Sequence, residues 1–237
     1  FFIGAVFTEV NVLDVSQKEW STPDITGSPP LDRIKHACVC SNFRDIYIFG
    51  GAAGEDGQND MAVLDTKELL WAKSDYGGDI PTVRLGHTLA LVNENKLVVF
   101  GGATVKNEVK DDSFVVDLST AMLKWELLND ATGQIPKQRC GHMGVIVDEA
   151  FIVVGGADGA RVLADVNVLE TAGSKLMWSQ PIGTGISPDA LVFHGVGVQI
   201  EENKKTGVRF GHLYVFGGGD GRRAGQKLHH LNMHSMR

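Results

Sequence analysis

Cysteine is scarce in this chain of 237 residues, and its three copies, Cys38, Cys40 and Cys140, cannot all pair with one another. Cys38 and Cys40 are two residues apart in a predicted strand, so both side chains point to the same face. Unpaired cysteines behave as small apolar residues and persist in reducing compartments. The sequence therefore predicts small, buried, free thiols and a cytoplasmic protein.

Long apolar runs and an excess of basic residues are also missing. No apolar stretch approaches the ~20 residues of a spanning helix, so no membrane insertion is predicted. The chain has 22 Lys and Arg residues, scattered along it, against 29 Asp and Glu residues, a formal net charge of −7. Because phosphate backbones and anionic membranes repel such a surface, nucleic-acid binding and membrane docking are disfavoured.

Catalytic and metal-binding motifs are absent as well. The sequence has no glycine-rich phosphate loop, no nucleophile elbow and no paired carboxylates at a repeated geometry. Histidines gather late in the chain, at His212, His229, His230 and His234, but His229 and His230 are adjacent in a predicted strand and face opposite ways. We therefore predict no catalytic residue, no metal and no cofactor.

Glycine is the informative excess, with 29 residues, about 12% against a usual ~7%. Helices tolerate glycine poorly, whereas tight turns between short strands need it. The composition therefore predicts an all-β chain. The sequence begins Phe1-Phe2-Ile3-Gly4, without an initiator methionine or a basic segment before an apolar run, which we interpret as an excerpt of a longer protein rather than a signal peptide.

Internal repeats organise the chain at a spacing of about 50 residues. An apolar strand that ends in a glycine doublet recurs at Gly50-Gly51, Gly101-Gly102, Gly155-Gly156 and Gly217-Gly218. Every tryptophan keeps the same phase, at Trp20, Trp71, Trp125 and Trp178. A third motif, Pro-x-x-Arg-x-x-His, places arginines at Arg33, Arg84 and Arg139, and the fourth copy keeps Pro188 and His194 without an arginine.

These motifs recur in one phase, and the pattern that they form resembles the kelch repeat. That resemblance covers nearly the whole chain and implies an all-β propeller of four-stranded antiparallel blades, with five or six blades expected. This chain would supply about four and a half to five of them as one domain over 1–237. The predicted parts are a blade remnant over 1–29 and blades over 30–80, 81–135, 136–187 and 188–237.

The repeated residues are predicted to be structural, because a catalytic site needs one constellation rather than several equivalent copies. The glycine doublets let a neighbouring ring pack on bare backbone, and the tryptophans bury their rings between adjacent blades. The repeated arginines are predicted to bond backbone carbonyls between blades. The segment Glu201 to Phe210 lengthens one turn, as a partner contact or as a tolerated surface loop.

Loops are where a propeller binds its partners. The resemblance places the loops after the glycine doublets and the linkers before Pro-x-x-Arg on one face. These loops carry five basic residues, Lys106, Lys110, Arg161, Arg222 and Arg223. Since arginine recognises carboxylates well, we predict a protein partner, in particular an acidic peptide segment. The sequence does not indicate an oligomeric state.

Three functions compete at this point. The first is a non-catalytic interaction propeller that acts as a scaffold, adaptor or effector, as the long linkers before the arginines resemble those of non-BTB kelch proteins. The second is the regulatory propeller of a larger enzyme, such as a kelch-linked serine/threonine phosphatase. The third is a copper enzyme similar to galactose oxidase, which the few tyrosines, Tyr47, Tyr76 and Tyr214, disfavour.

Overall fold

The computed structural model describes residues 9–172, 176–183, 188–202, 204 and 209–233. This part of the chain consists of strands, turns and loops. It contains no helix that is long and apolar enough to span a membrane. The first two strands form an antiparallel hairpin, called here the leading hairpin, of β1 (Val12–Asp14) and β2 (Glu19–Ser21).

Blade 1 is the first complete sheet. Its strands run along the chain as β3 (Thr26–Gly27), β4 (Ala37–Ser41), β5 (Asp45–Phe49), β8 (Met61–Asp65) and β9 (Leu70–Lys73). A two-residue hairpin of β6 (Ala52–Ala53) and β7 (Asp56–Gly57) lies in the loop between β5 and β8. The order across the sheet is β3-β9-β8-β5-β4, with every pair antiparallel except β3 and β9.

Blades 2 and 3 repeat this arrangement. Blade 2 contains β10 (Tyr76–Gly78), β11 (Thr88–Val92), β12 (Lys96–Phe100), β13 (Ser113–Asp117) and β14 (Leu123–Leu127). Blade 3 contains β15 (Thr132–Gly133), β16 (Met143–Val147), β17 (Ala150–Val154), β18 (Val166–Glu170) and β19 (Met177–Ser179). The recurrence of one sheet topology confirms the all-β propeller that the repeats predict.

Blade 4 differs, since its described residues form three strands, β20 (Gly195–Glu202), β21 (Arg209–Phe216) and β22 (Leu228–Met233). β20 and β21 are longer than their counterparts because pairing continues to Glu202 opposite Arg209. The two ends of the predicted turn insertion, Glu201 to Phe210, are therefore parts of β20 and β21. Of residues 203–208, only 204 lies within the described part.

The innermost strands are β4, β11, β16 and β20. β11 contacts both β4 and β16, and β16 contacts β20. β12 has the sequence Lys-Leu-Val-Val-Phe, and four of its five residues are buried, as expected for β-branched and aromatic residues in a strand covered on both faces. Successive blades thus stand side by side around a common axis.

The apolar core lies between neighbouring blades rather than inside one of them. Phe49 of blade 1 packs against Trp125 of blade 2 with ring centroids 5.2 Å apart, and Phe100 packs against Trp178 of blade 3 at 5.0 Å. Trp71, Trp125 and Trp178 are all buried. Each ring removes a large apolar area from water, so these three tryptophans occupy buried positions in the fold.

Trp20 departs from that pattern, with 69% of its surface exposed. Among the described residues no blade covers its face of the leading hairpin, so the predicted burial between blades is not seen for this copy. The prediction of buried cysteines is wrong for Cys38 and Cys40, which are exposed, while Cys140 is half-buried. Cys38 and Cys40 pair with Ile48 and Ile46, on the blade 1 face that points to the leading hairpin.

A short parallel strand at the outer edge of each complete blade was not foreseen. β3, β10 and β15 are parts of the linkers, and each pairs with the tryptophan strand of the next blade. Their glycines, Gly27, Gly78 and Gly133, have φ of +91°, +80° and +89°. A Cβ at Gly78 would lie 2.3 Å from the carbonyl oxygen of Trp125, so the strand can approach only with glycine there. The sheets therefore begin upstream of residues 30, 81 and 136.

Candidate functional site

The repeated arginines make hydrogen bonds and ion pairs within blades 1, 2 and 3. Arg84 is fully buried, and its Nη1 donates to the Gly101 carbonyl at 2.9 Å and to Asp112 Oδ1 at 2.7 Å. Arg139 does the same with Gly155 at 2.9 Å and Asp165 at 2.8 Å, and Arg33 with Gly50 and Asp60. Both partners belong to the arginine's own blade, so the prediction of side-chain bonds between blades is wrong.

The aspartate partners were missed, although each of them stands just before the third strand of its blade. Burial opposes ionisation of Asp165, but hydrogen bonds from Arg139 and Asn167 outweigh it and hold the pKa of this carboxyl below its usual value. At the arginine positions, backbone groups make the link to the preceding blade. The carbonyls of Arg84 and Arg139 accept from the amides of Gly51 and Gly102, at 2.8 Å each.

Blade 4 replaces this ionic fastening. Leu191 takes the arginine position and is buried in the cluster between blades 3 and 4. Lys227 takes the aspartate position and pairs with Asp189 at 3.1 Å on the surface. The backbone link is kept, since the Leu191 carbonyl accepts from Gly156 N at 2.9 Å. Because blade 4 has no aspartate at the partner position, an arginine there would be a buried charge without a counter-ion, and the apolar Leu191 avoids that cost.

The histidines of the repeat pack against the glycine doublets. A Cβ on Gly50 would lie 2.6 Å from His87 Cε1 of the next blade, and one on Gly102 would lie 2.8 Å from His87 Cβ. The first glycine of the next two doublets likewise meets the histidine of the following blade, Gly101 at His142 and Gly155 at His194. The second glycine of the other doublets meets the histidine of its own blade, as seen for Gly51, Gly156 and Gly218. Gly217 has no described atom within 4 Å of such a Cβ, so its predicted packing role is not seen there.

Burial keeps these histidines uncharged. It lowers the pKa of His87 to about 3, with a smaller contribution from the charge of Arg84. Burial likewise lowers the pKa of His142 and His194. His142 Nε2 lies 3.0 Å from the Thr88 hydroxyl of the neighbouring blade. General acid–base catalysis needs a pKa near the working pH, so histidines whose pKa is lowered by burial are suited to packing rather than to proton transfer.

The loops after the glycine doublets and the linkers into the innermost strands lie at one end of the propeller, called here the doublet face. Within each loop the backbone folds back on itself, as between Ala103 and Val109 or between Ala157 and Val162. Adjacent loops also touch, because a Cβ on Gly57 would lie 3.4 Å from Val105 and one on Gly159 would lie 3.4 Å from Val109. The doublet face is thus a continuous surface.

All five predicted partner-binding residues lie on these loops, but two of them already have acidic neighbours. Lys110 lies 3.6 Å from Glu108, and Arg161 lies 3.4 Å from Asp158. Lys106 is exposed, and the amides of Arg222 and Arg223 donate to Asp220. The loop of blade 1 carries the acidic pair Glu55 and Asp56, and the loops of blades 2 and 3 carry as many acidic as basic residues, so basic residues outnumber acidic ones only in the loop of blade 4.

A pocket of about 420 Å³ opens on the doublet face of blade 3. Its walls are the linker Gln134–Lys137, the segment from Arg161 to Asp165, Asn167, and Gln180 beyond β19. Lys137, Arg161 and Ile135 are exposed there, and Gln134 Oε1 accepts from the amide of Gln180 at 3.2 Å. The pocket therefore brings together two exposed cations, the Asp165 carboxylate that Arg139 pairs with, several amides and apolar side chains.

The opposite end, called here the turn face, has a different charge. A pocket of about 580 Å³ there is lined by Leu91, Asn93, Glu94, Ile146, Asp148, Glu149, Thr171 and Ala172. Asn93 Nδ2 donates to the Thr171 carbonyl at 3.0 Å, which ties blades 2 and 3 together. Its acidic rim makes it a poor place for an acidic partner.

The late histidines and the tyrosines are spread over separate parts of the described fold. His212 Nδ1 lies 2.8 Å from His230 Nε2, and His230 stacks on Tyr214. His229 faces away towards Asp189 at 3.7 Å, as predicted, and His234 lies outside the described residues. Over the described ranges, no three His, Cys, Asp or Glu side chains are grouped as metal ligands. Tyr47 and Tyr76 pack between blades 1 and 2, far from Tyr214 in sequence and fold.

Comparison with known proteins agrees with this geometry. The family model described as the KLHDC2/KLHL20/DRC7 Kelch-repeats domain matches residues 3–199. "Acyl-CoA-binding domain-containing protein 5" of Arabidopsis thaliana is 28% identical over 79% of this chain and 29% of its own length. "Rab9 effector protein with kelch motifs" of Xenopus laevis is 28% identical over 68% of this chain and 43% of its own length.

A third relative, "Kelch domain-containing protein 1" of Mus musculus, is 29% identical over 65% of this chain and 37% of its own length. The chain thus spans less than half the length of each of these three relatives. Repeat phase, blade topology and the family match all agree: the chain belongs to the kelch-repeat family.

Proposed function

We propose that this kelch propeller is a non-catalytic interaction module, a scaffold, adaptor or effector, that binds an acidic segment of a partner protein on its doublet face. The kelch propeller is a fold for protein–protein interaction. The observation that carries the finer proposal is the pocket of blade 3, which is lined by the exposed side chains of Lys137, Arg161 and Ile135. Charge-assisted bonds to the two cations and an apolar contact suit a carboxylate next to an apolar side chain.

The repeated arginines and histidines support the proposal by elimination. Their side chains are occupied in fastening blades or in packing on glycine, so the charges that remain for recognition are those of the loops. The described cysteines are free, and we propose a cytoplasmic location because free thiols persist in reducing compartments.

Short synthetic peptides of matched length test the proposal. Each has one central leucine among glycines, with glutamate, glutamine or lysine at the flanking positions, and fluorescence anisotropy reports binding. The acidic peptide should bind about tenfold more tightly than the glutamine peptide, the size of one charge-assisted contact. Equal affinity for all three peptides would contradict the acidic partner.

A pair of charge-reversal variants locates the site. Lys137→Glu with Arg161→Glu should abolish the preference for the acidic peptide. The matched control is Lys67→Glu with Lys124→Glu, which changes the net charge equally at exposed positions away from the doublet face. An unchanged preference in the first variant, or an equal loss in the control, places binding elsewhere.

A second candidate is the regulatory propeller of a larger enzyme, for which a serine/threonine phosphatase is the case considered from the sequence. The observation that favours a multidomain setting is the small share of its relatives that this chain spans, 29% for the first. Determining the full coding sequence tests it, and a catalytic domain in the same reading frame is the expected result. An open reading frame limited to kelch repeats would overturn it.

A further inference from the structure

Four equivalent residues surround the axis of the propeller where the innermost strands begin on the doublet face. They are the residues just before the repeat histidines: Lys35, Gly86, Gly141 and Phe193. Each has a left-handed backbone, with φ of 55°, 64°, 65° and 54°. Three hydrogen bonds link the four in series: Gly86 N donates to the Lys35 carbonyl at 2.9 Å, Gly141 N to that of Gly86 at 2.7 Å and Phe193 N to that of Gly141 at 2.8 Å.

Two members of this set carry side chains where the geometry favours glycine. A left-handed conformation is strained for a bulky residue and cheap for glycine, and blades 2 and 3 use glycine. Phe193 nevertheless keeps an aromatic ring here, 57% exposed. The left-handed backbone thus holds this ring on the doublet face at a position where glycine would be free of strain.

The side chains of Lys35 and Phe193 contact each other above Gly141. The ring of Phe193 lies on Gly141, whose Cβ would come within 3.1 Å of two ring carbons. Lys35 of blade 1 places its Nζ 5.4 Å from the centroid of the same ring, within the range of a cation–π contact. An exposed aromatic edge and a cation thus stand together at the centre of the doublet face.

We propose that Lys35 and Phe193 form an anchor site for an aromatic side chain followed by a carboxylate in an acidic peptide. Phe193 offers the apolar contact, and Lys35 offers the charge for the carboxylate. Aromatic residues on a rigid support are the side chains that dominate interface energies. The inference rests on the proposed function, because it names a second contact on the same face.

The substitution Phe193→Gly separates binding from folding. It restores the residue that two other blades have at this position, so the unfolding midpoint should stay the same or rise. Phe43→Gly is the matched control, since Phe43 is another phenylalanine with a positive φ, 52°, and is fully exposed in the β4–β5 turn of the turn face. Both variants should remain folded.

The probes are short peptides with a central phenylalanine or alanine, each prepared with glutamate or glutamine flanks. Wild-type protein should prefer phenylalanine to alanine by about tenfold, as expected for one buried aromatic contact. Phe193→Gly should remove that preference, Phe43→Gly should leave it, and Lys35→Asn should weaken it for the glutamate peptides alone.

The outcomes separate the two proposals. A phenylalanine preference without any effect of the flanking charge supports the aromatic anchor and contradicts the acidic partner. Equal or undetectable binding of the phenylalanine and alanine peptides by wild-type protein overturns the anchor, as does an unaltered preference in Phe193→Gly. A marked loss of stability in Phe193→Gly would also overturn it, because the ring would then serve the fold.

Discussion

The buried arginine is the residue that most clearly shows how charge is used in this protein. Each of the three copies satisfies a glycine carbonyl and an aspartate that stands before the third strand. Blade 4 does without the pair by substituting Leu191 and moving the charges to Lys227 and Asp189 at the surface. The arginine is thus present in each of the three blades that keep the aspartate.

Replacing Arg139 with leucine tests that dependence. Arg139→Leu should lower the free energy of unfolding by about 2–4 kcal/mol, because Asp165 and the Gly155 carbonyl lose their partner. Adding Asp165→Asn should recover part of the loss, since the uncompensated charge is gone. Urea denaturation of the wild type and both variants measures this, and a double variant no more stable than the single one would contradict it.

The buried histidines make stability depend on pH. Their pKa values are lowered in the folded protein, so between pH 6.5 and about 3 the unfolded chain binds more protons than the folded one. Stability should therefore be full above pH 6.5 and fall as the pH drops, by up to about 1.4 kcal/mol per unit for each histidine. Urea midpoints between pH 7.5 and about 5 measure the slope, and His87→Gln should reduce it. A flat profile in this range would contradict the assignment.

The parallel edge strand is the element that the sequence did not reveal. Regular strands could be predicted because doublet, tryptophan and proline motifs repeat in one phase and mark where each strand ends. The edge strands span only two or three residues, and their one requirement, a glycine with a positive φ, is met by a residue type that is common in turns. The aspartate partners of the arginines did leave a signal that the predictions did not use, since each lies ten or eleven residues after the first glycine of its doublet.

Substitutions at two neighbouring glycines, Gly78 and Gly77, test whether the close approach of the edge strand stabilises the blade. Gly78→Ala should destabilise the protein by more than about 1 kcal/mol, because its φ of +80° is unfavourable for alanine and its Cβ would meet the Trp125 carbonyl. Gly77→Ala is the control, since nothing lies within 4 Å of a Cβ there. Thermal denaturation compares the two, and equal midpoints would show that the edge strand is not held at Gly78.

At the scale of the whole molecule, stacking of blades replaces a single central core. The clusters lie between blades 1 and 2, between blades 2 and 3, and between blades 3 and 4. Sequence periodicity predicted this stacking, but it could not show that Trp20 remains exposed or that Lys35 and Phe193 meet across the axis. Those outcomes depend on which surfaces neighbouring blades cover, which no local pattern encodes.

The contrast between two tryptophans tests the stacking. Trp125→Ala should lower the free energy of unfolding by about 3–5 kcal/mol, as for other large-to-small changes in a core. Trp20→Ala should have an effect of about 0.5 kcal/mol or less, because its ring is largely exposed. Guanidinium denaturation followed by circular dichroism provides both values, and a similar loss for the two variants would contradict the stacking.

The central claim is that the repeated residues build the scaffold and the doublet face binds the partner. Hydrogen–deuterium exchange with and without the acidic peptide tests it most directly. The account predicts that bound peptide slows exchange in the linker Gln134–Lys137 and in the loop from Arg161 to Leu163, with no change in the turns around Asn93 and Thr120. Slower exchange on the turn face alone, or no change on the doublet face at saturating peptide, would contradict it.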